Sequence, residues 1–384
     1  MVGQDRVQLY TPNEKITPEI EAHLHVADCG VSICVEILPY ENIVAGLSSL
    51  ETDSTVSSIL VSTGSSYSIY NAIPSSKRVI GENPIHNMKA QKNEVERVGM
   101  RRAHVKDGVA LCDFLSFLES EIVSGMVWDE LSASNKSEEF RAQQLDFVSL
   151  SFATISAFGP NGAIIHYEAE ESTNALIDTT SLYLIDSGAQ FLDGTTDVTR
   201  TMHFGDPDPF QIEAYTRVLK GQLDFADVVF PASSRTAYYD IDILARRPLY
   251  DVGLDYRHGT SHGIGMFLYV HETTFPYYVL GEFMSDEPGY YEDGAFGIRL
   301  ENTIEVVEAT TPYNFSGPSL TFQHNTLVPY EAKLIDATML TQRQCTILNE
   351  YHSRVLDVVG TEMLNQGRQD GYNWLVTKTT PIAC

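Results

Sequence analysis

Short apolar runs separated by polar turns occupy residues 1 to about 82. Two of these runs, Val31–Leu38 and Ser58–Ser62, have the length and the β-branched content of strands, so a small α/β unit is predicted here. The opening residues resemble a strand entered midway, and we therefore expect this unit to be incomplete. Pro84 marks the predicted boundary, which gives domains at residues 1–84 and 85–384.

After Pro84, apolar residues recur near the 3.6-residue period of an α-helix. The pattern predicts helices at 92–118, 136–144 and 210–229, the last of which begins at Asp208-Pro209. A further helix precedes Gly253, and Pro248 within it predicts a break. Strands are predicted at 182–185, 198–204, 267–270 and 297–307. Strands that alternate with helices and pair as hairpins indicate an α+β fold with an antiparallel sheet.

The net charge of the chain limits the kinds of molecule that it is expected to bind. The chain has 25 Lys plus Arg and 52 Asp plus Glu, a formal net charge of −27. Such a protein repels phosphate backbones, so nucleic acid is not an expected partner. The chain has no apolar run of about 18 residues, so no membrane span is expected. Five widely spread cysteines and an opening unlike a signal peptide indicate unpaired thiols and a cytoplasmic location.

Two segments bring carboxylates together. An apolar strand ends at Asp186, and a hairpin turned near Leu192 would place Asp186 opposite Asp197, although Asp193-Gly194 favours a later turn and leaves the register open. In the second segment Gly294 lies seven residues from both Glu287 and Glu301, so a turn there places these two glutamates face to face.

A histidine completes the candidate ligands. His262 lies among small residues that allow close approach, and a neutral imidazole is a common metal ligand. Each of these side chains alone has an ordinary structural explanation. Together they favour Mn²⁺, Co²⁺ or Zn²⁺, and four carboxylates balance two divalent ions better than one.

Four segments resemble the cytosolic, eukaryotic-type Xaa-Pro aminopeptidases (aminopeptidase P). They are Gly159–Tyr167, Asp186–Gln190 continuing through Thr201–Gly205, His258–Thr260 onward, and Asp286–Tyr291 continuing through Glu301–Asn302. The resemblance extends from about Met1 to the C-terminus. It implies a pita-bread catalytic domain at 85–384, with a C-terminal extension from about residue 320, after a partial creatinase-like N-terminal domain.

The resemblance also implies a role for each metal ligand. Asp186 would chelate one metal, Asp197 and Glu301 would bridge both, and His262 would bind the second. Glu287 would ligate a metal and shuttle a proton for the bridging water. Mn²⁺ is the metal that the resemblance favours.

Three further residues would contact the substrate, and a fourth would support the metal ligands. His271 would hydrogen-bond the scissile carbonyl or the tetrahedral intermediate, and His166 and His258 would line the pocket. Arg299 would orient the metal-binding carboxylates. The implied reaction is hydrolysis of the bond between an N-terminal residue and a following proline, by a hydroxide that bridges two metals. Peptides with proline in second position and a possible homodimer are the implied partners.

The chain departs from the family beside His271. It is shorter than usual between His271 and Glu287, and Thr273-Thr274 stand where the family has Gly-Pro. Two alternatives therefore stay open: a pita-bread binding module that has lost catalysis, and a prolidase restricted to Xaa-Pro dipeptides. A metal-free creatinase-like hydrolase is a third alternative, but it would not need the full ligand set.

Overall fold

The computed structural model of the protein describes residues 1–3, 7–32, 34–272 and 275–383. The chain divides into two compact units, Met1–Ile85 and His86–Cys384. Thr273-Thr274, where the sequence departs from the resembled family, lies outside the described residues. None of the described helices combines the length and apolar character that crossing a bilayer requires.

The first unit is built from short parallel strand pairs and short helices. Its elements are β1 (Val7–Thr11), α1 (Pro18–His23), β2 (Val35–Pro39), α2 (Ile43–Ser49), β3 (Ile59–Val61), α3 (Tyr67–Ala72) and β4 (Arg78–Ile80). β1 pairs with β2 and β3 with β4, both in parallel. Leu47, Val61 and Ile73 form the small buried core of this unit. Parallel pairs with helices between them are the α/β character that the sequence predicted.

The prediction of unpaired thiols is wrong for this unit. Cys29 and Cys34 form a disulfide, with Cα atoms 5.1 Å apart. Gly30 adopts φ +93°, which lets the chain turn tightly enough to bring the two cysteines together. Because of this turn the strand begins at Val35, four residues after the start at Val31 that the sequence predicted. Cys345 in the second unit is also disulfide-bonded, whereas Cys112 is a free, buried thiol.

The second unit contains the long helices and antiparallel sheets. After α4 (Pro84–Ala90), which spans the division, its helices are α5 (Glu94–Val123), α6 (Glu130–Ala142), α7 (Pro209–Ala226), α8 (Tyr238–Tyr250), α9 (Gln342–Val355), α10 (Thr361–Asn365) and α11 (Gln369–Lys378). Its strands are β5 (Trp128–Asp129), β6 (Phe147–Leu150), β7 (Ile155–Phe158), β8 (Leu176–Ile177), β9 (Leu182–Ser187), β10 (Ala189–Phe191), β11 (Gly194–Thr195), β12 (Val198–His203), β13 (Phe230–Pro231), β14 (Phe283–Asp286), β15 (Gly289–Glu292), β16 (Phe296–Arg299), β17 (Asn302–Ala309) and β18 (Ser319–His324).

Local sequence explains where the long helices begin. Asn93 caps α5 and Asp208 caps α7, and in each case the residue three positions on completes a capping box. Asp129 does the same for α6, so this helix starts at Glu130, earlier than the apolar pattern predicted. Apolar residues of α5 and α7 belong to one buried cluster with Ile298 of β16 and Leu300, which follows that strand. This packing fixes the strands that carry the candidate site.

Three local predictions differ from the structure. Pro248 does not break its helix: it lies in the last turn of α8, which continues through it and ends two residues later at Tyr250. Residues 267–270 form no strand, and Phe267 has φ +48°, outside the extended region. The strand predicted at 297–307 is interrupted between Arg299 and Asn302, so Glu301 lies in the gap between β16 and β17.

Candidate metal centre

One cavity of about 700 Å³ gathers every candidate site residue of the sequence analysis. The side chains that line it include His166, Asp186, Asp197, His258, His262, His271, Glu287, Arg299 and Glu301. They come from positions spread over more than a hundred residues of the second unit. The fold therefore brings the complete predicted set to one place.

The first two carboxylates come from residues 182–203, here called the Asp hairpin. β9 and β12 pair so that Asp186 lies opposite Thr199, not opposite Asp197. The turn lies one residue later than the simplest prediction, because Phe191 pairs with Gly194 at the tip. Asp186 and Asp197 still face the same side of the hairpin, as diagonal neighbours.

The two glutamates come from residues 283–305, here called the Glu hairpin. β14–β17 and β15–β16 share one register, in which Asp286 pairs with Asn302 and Gly289 with Arg299. Glu287 therefore lies opposite Glu301, which confirms the predicted register. The turn is at Gly294, whose φ of +78° suits a glycine.

His262 lies among these carboxylates. Its Nε2 is 3.4 Å from Asp197 Oδ2, 3.5 Å from Glu287 Oε1 and 3.9 Å from Glu301 Oε1. With its proton on Nδ1, the ring donates to the Gly263 carbonyl at 3.0 Å, which turns Nε2 toward the acids. Potential ligand atoms of Asp197, His262 and Glu301 all lie within 4.8 Å of one another.

The pKa values show how unfavourable so many buried carboxylates are together. Burial raises the pKa of Asp197 and Glu301, and the charge of Asp186 raises the pKa of both further. Burial raises the pKa of Glu287 to about 7. Burial alone would lower the pKa of His262, but the Asp197 hydrogen bond and the charge of Glu287 raise it to about 9. The pocket therefore stabilises positive charge.

Arg299 supplies part of that charge and holds Asp186 in place. Its Nη2 donates to Asp186 Oδ2 at 2.7 Å, and its Nε donates to Thr199 Oγ1 at 3.1 Å. Thr199 Oγ1 in turn donates to Glu301 Oε2 at 2.6 Å, and the Thr199 carbonyl accepts from the Glu301 N–H. Thr199 therefore joins the two hairpins. The sequence analysis missed it because the register of the Asp hairpin was open.

Tyr291 is a second residue that the sequence analysis missed. Its hydroxyl accepts from Arg299 Nη1 at 2.9 Å and contacts His258 Nε2 at 2.8 Å. Tyr291 follows Gly289 by two positions and Glu287 by four. Because side chains alternate between the two faces of a strand, Tyr291 lies on the same face as Glu287. Burial lowers the pKa of His258 to about 4, which keeps this ring neutral. The alternation of the Glu hairpin was the signal that could have found Tyr291.

His271 and His166 lie at the more open part of the cavity. Both residues are exposed. The His271 ring centre is 4.3 Å from that of His262 in an edge-to-face arrangement, beside the candidate ligands. Their positions leave both imidazoles accessible to a molecule that enters the cavity.

Sequence comparison identifies the family. Residues 98–308 match metallopeptidase family M24, residues 318–382 match the C-terminal region of peptidase M24, and residues 1–96 match the creatinase/prolidase N-terminal domain. The chain belongs to metallopeptidase family M24. The fold class predicted from the sequence, an α+β pita-bread unit after an α/β creatinase-like unit, is confirmed by these matches and by the mixed sheets of the structure.

Relatives of this M24 chain are named as peptidases that act at proline. An Xaa-Pro aminopeptidase (ApepP) of Drosophila melanogaster is 41% identical over 100% of this chain and 63% of its own length. A probable Xaa-Pro aminopeptidase P of Botryotinia fuckeliana is 42% identical over 99% and 60%. A crystal structure of X-prolyl aminopeptidase from Caenorhabditis elegans, described as a cytosolic enzyme with a di-nuclear active site, superposes with a TM-score of 0.93 at 34% identity, over 99% and 63%. The chain thus spans less than two thirds of the length of these relatives.

The residues of this M24 site fit divalent metal ions. Asp186 Oδ1 is buried and has no hydrogen-bond partner among the described residues. A buried carboxylate oxygen without a partner is costly, and a cation removes that cost. The donor set of oxygen atoms and one imidazole suits Mn²⁺, Co²⁺ or Zn²⁺.

Proposed function

We propose that this chain is a metal-dependent aminopeptidase that hydrolyses the bond between an N-terminal residue and a following proline. One observation carries the proposal: Asp186, Asp197, His262, Glu287 and Glu301 converge on one cavity, in an M24 chain similar along its whole length to Xaa-Pro aminopeptidases. Two divalent metal ions, when bound to these five residues, supply Lewis-acid polarisation and activation of water at neutral pH. Mn²⁺ is the proposed metal, with Co²⁺ and Zn²⁺ as substitutes.

The chain's own residues would bind and orient the peptide. The acidic cavity attracts the positively charged amino terminus, which restricts cleavage to the first residue. The bond before proline has no N–H, so no acceptor for that hydrogen is required. His271, exposed beside His262, donates to the substrate carbonyl through its imidazole N–H. His166 and His258 line the space for the side chains of the peptide.

Glu287 would move the proton. Its carboxylate lines the cavity, with Oε1 3.5 Å from His262 Nε2, where it would accept a proton and return it to the product. Ser285 Oγ donates to Glu287 Oε1 at 3.2 Å and holds this oxygen in position. Arg299 holds the Asp186 carboxylate in position through the 2.7 Å hydrogen bond.

Metal content and peptide cleavage test the proposal together. The purified chain, reconstituted with Mn²⁺, is expected to bind two metal ions and to release the first residue from Xaa-Pro-Xaa but not from Xaa-Ala-Xaa. Metal binding without turnover of any peptide would indicate the binding module. Turnover of Xaa-Pro dipeptides alone would indicate a prolidase, and absence of metal binding would overturn the proposal.

Location and assembly are also proposed. We infer a cytoplasmic enzyme because the similar C. elegans enzyme is described as cytosolic. The Cys29–Cys34 disulfide argues against a reducing compartment, so a thiol count on protein trapped at cell lysis decides this point. The homodimer implied by the resemblance stays a prediction, which light scattering of the purified chain tests.

A further inference from the structure

A buried lysine joins the two ends of the segment that leads to His271. The Lys92 side chain is 0% exposed, and its Nζ donates to the Ile264 carbonyl at 2.7 Å. The same ammonium forms an ion pair with Glu272, the residue that follows His271. A buried ammonium requires such partners, because burial without them is strongly unfavourable. One side chain therefore connects residue 264 with residue 272.

Lys92 is itself firmly anchored. It directly precedes Asn93, the cap of α5. Its backbone N–H donates to the Gly281 carbonyl at 3.0 Å, just before the strand that leads to Glu287. The lysine thus extends from a rigid part of the second unit into the segment 264–272.

The segment itself has little regular structure. Residues 265–271 are in neither helix nor strand. The Leu268 carbonyl accepts from Gln190 Nε2 at 2.7 Å and from Thr195 Oγ1 at 3.3 Å, and the Leu268 N–H donates to Thr195 Oγ1 at 3.2 Å. Its backbone N–H groups at Gly265 and Glu272 donate to the carbonyls of Tyr269 at 3.1 Å and Gly263 at 2.7 Å. A segment with so few backbone hydrogen bonds depends on side-chain ties for its position.

We propose that Lys92, through its ion pair with Glu272, is a positioning residue that fixes His271 against the metal ligands. The inference rests on the proposed function, in which His271 contacts the substrate carbonyl. Lys92 does not touch the substrate. It acts by holding the backbone on either side of the segment, so that the His271 ring remains beside His262.

Kinetics provide the first test. Lys92→Met is expected to lower kcat for an Xaa-Pro-Xaa peptide by about 10-fold, because His271 is then held less firmly, with little change in KM or bound metal. In a His271→Ala background the same substitution is expected to lower kcat no further, because the imidazole that Lys92 positions is already absent. An equal loss in both backgrounds would overturn the inference.

Hydrogen exchange provides a second test that needs neither metal nor turnover. Gly265 N–H donates to the Tyr269 carbonyl at 3.1 Å, within the segment. Lys92→Met is expected to accelerate amide exchange at Gly265 and Glu272 in the metal-free protein by about 10-fold or more. Unchanged exchange would contradict the inference even if catalysis fell. If the wild type fails to cleave any peptide, the proposed function fails, and exchange still decides the role of Lys92.

A second buried ion pair supplies a matched control. Lys378 and Glu331 are in contact at 2.6 Å with side chains 9% and 1% exposed, in a different part of the second unit. Lys378→Met is expected to lower the melting temperature but to leave kcat and the exchange of Gly265 unchanged. Similar exchange in both variants would show a global loss of stability instead. If Lys92→Met does not fold, Glu272→Gln removes the same ion pair and is expected to change kcat and exchange in the same direction.

Discussion

The Asp hairpin and the Glu hairpin present the same chemical group in two different registers. Glu287 lies directly opposite Glu301, whereas Asp186 lies opposite Thr199 and only diagonally from Asp197. Thr199 occupies the place that a symmetric hairpin would give to a second carboxylate. Its hydroxyl donates to Glu301, so the offset gives the Asp hairpin a residue that binds the other hairpin. An unequal pair of hairpins thus forms one connected site.

The turns of the two hairpins differ as well. At Gly294 an added Cβ would meet no atom within 4 Å. At Gly194 it would meet Met100 Sδ at 2.6 Å and Met100 Cα at 3.0 Å. The turn of the Glu hairpin is open and that of the Asp hairpin is packed against α5.

The largest expected effect comes from removing the charge of Glu301. Glu301→Gln keeps the shape of the side chain but deletes a carboxylate that both hairpins contact. We expect metal content to fall and turnover to drop by more than ~100-fold, because loss of a residue that only hydrogen-bonds a metal ligand already costs about 10–100-fold. Metal analysis and a peptide assay check this. Glu308→Gln, an exposed change in the adjoining strand β17, is the control. Full activity and full metal content in Glu301→Gln would contradict the assignment.

A buried acid, Glu282, directly precedes β14, the first strand of the Glu hairpin. Burial raises the pKa of Glu282 to about 7 from an ordinary value of 4.5, although hydrogen bonds from Tyr238 and two backbone N–H groups oppose this. The folded protein therefore holds this proton more tightly than the unfolded chain. The resulting stabilisation is complete below about pH 4.5 and is lost as the pH rises to about 7.

Urea unfolding of the metal-free protein at several pH values measures this loss. The wild type is expected to lose on the order of 3 kcal/mol of unfolding free energy through Glu282 between pH 4.5 and 7. Glu282→Gln is expected to show a flatter slope in this window, while Glu308→Gln keeps the slope of the wild type. Parallel slopes for wild type and Glu282→Gln would refute the role of this acid.

The two hairpins also show how far sequence could predict the site. The register of the Glu hairpin was predictable because Gly294 lies midway between Glu287 and Glu301. A turn at Asp293-Gly294 therefore determines which residues of the two strands pair. The Asp hairpin has two possible turns one residue apart, and packing of Gly194 against Met100 selects between them. That contact joins residues almost a hundred positions apart, and no local pattern contains it. Thr199 was missed for the same reason, and the Cys29–Cys34 disulfide because its spacing matches no common motif.

Alanine at each turn glycine tests the difference in packing. Gly194→Ala is expected to destabilise the protein by about 2 kcal/mol, because the methyl group overpacks against the Met100 backbone. Gly294→Ala is expected to cost about 1 kcal/mol, from the positive φ alone. Chemical denaturation of both variants measures the difference. A larger cost at Gly294 would reverse the distinction between a packed and an open turn.

The smallest expected effect concerns the link between the hairpins. Thr199→Val removes the hydroxyl that donates to Glu301 Oε2 and accepts from Arg299 Nε. Glu301 then loses a donor that orients one carboxylate oxygen, so metal affinity and kcat/KM are each expected to fall by about 10-fold. Calorimetric metal titration and peptide kinetics measure the two quantities.

Thr201→Val is the matched control, because Thr201 also joins the hairpins but through the backbone of Arg299. Its Oγ1 donates to the Arg299 carbonyl and accepts from the Arg299 N–H, both at 3.1 Å. Loss of this hydroxyl is expected to lower stability by about 1 kcal/mol and to leave metal affinity unchanged. If both variants weaken metal binding equally, the contribution of Thr199 is mechanical coupling of the strands. If only Thr199→Val does, the offset register of the Asp hairpin supplies the site with a specific ligand-orienting group.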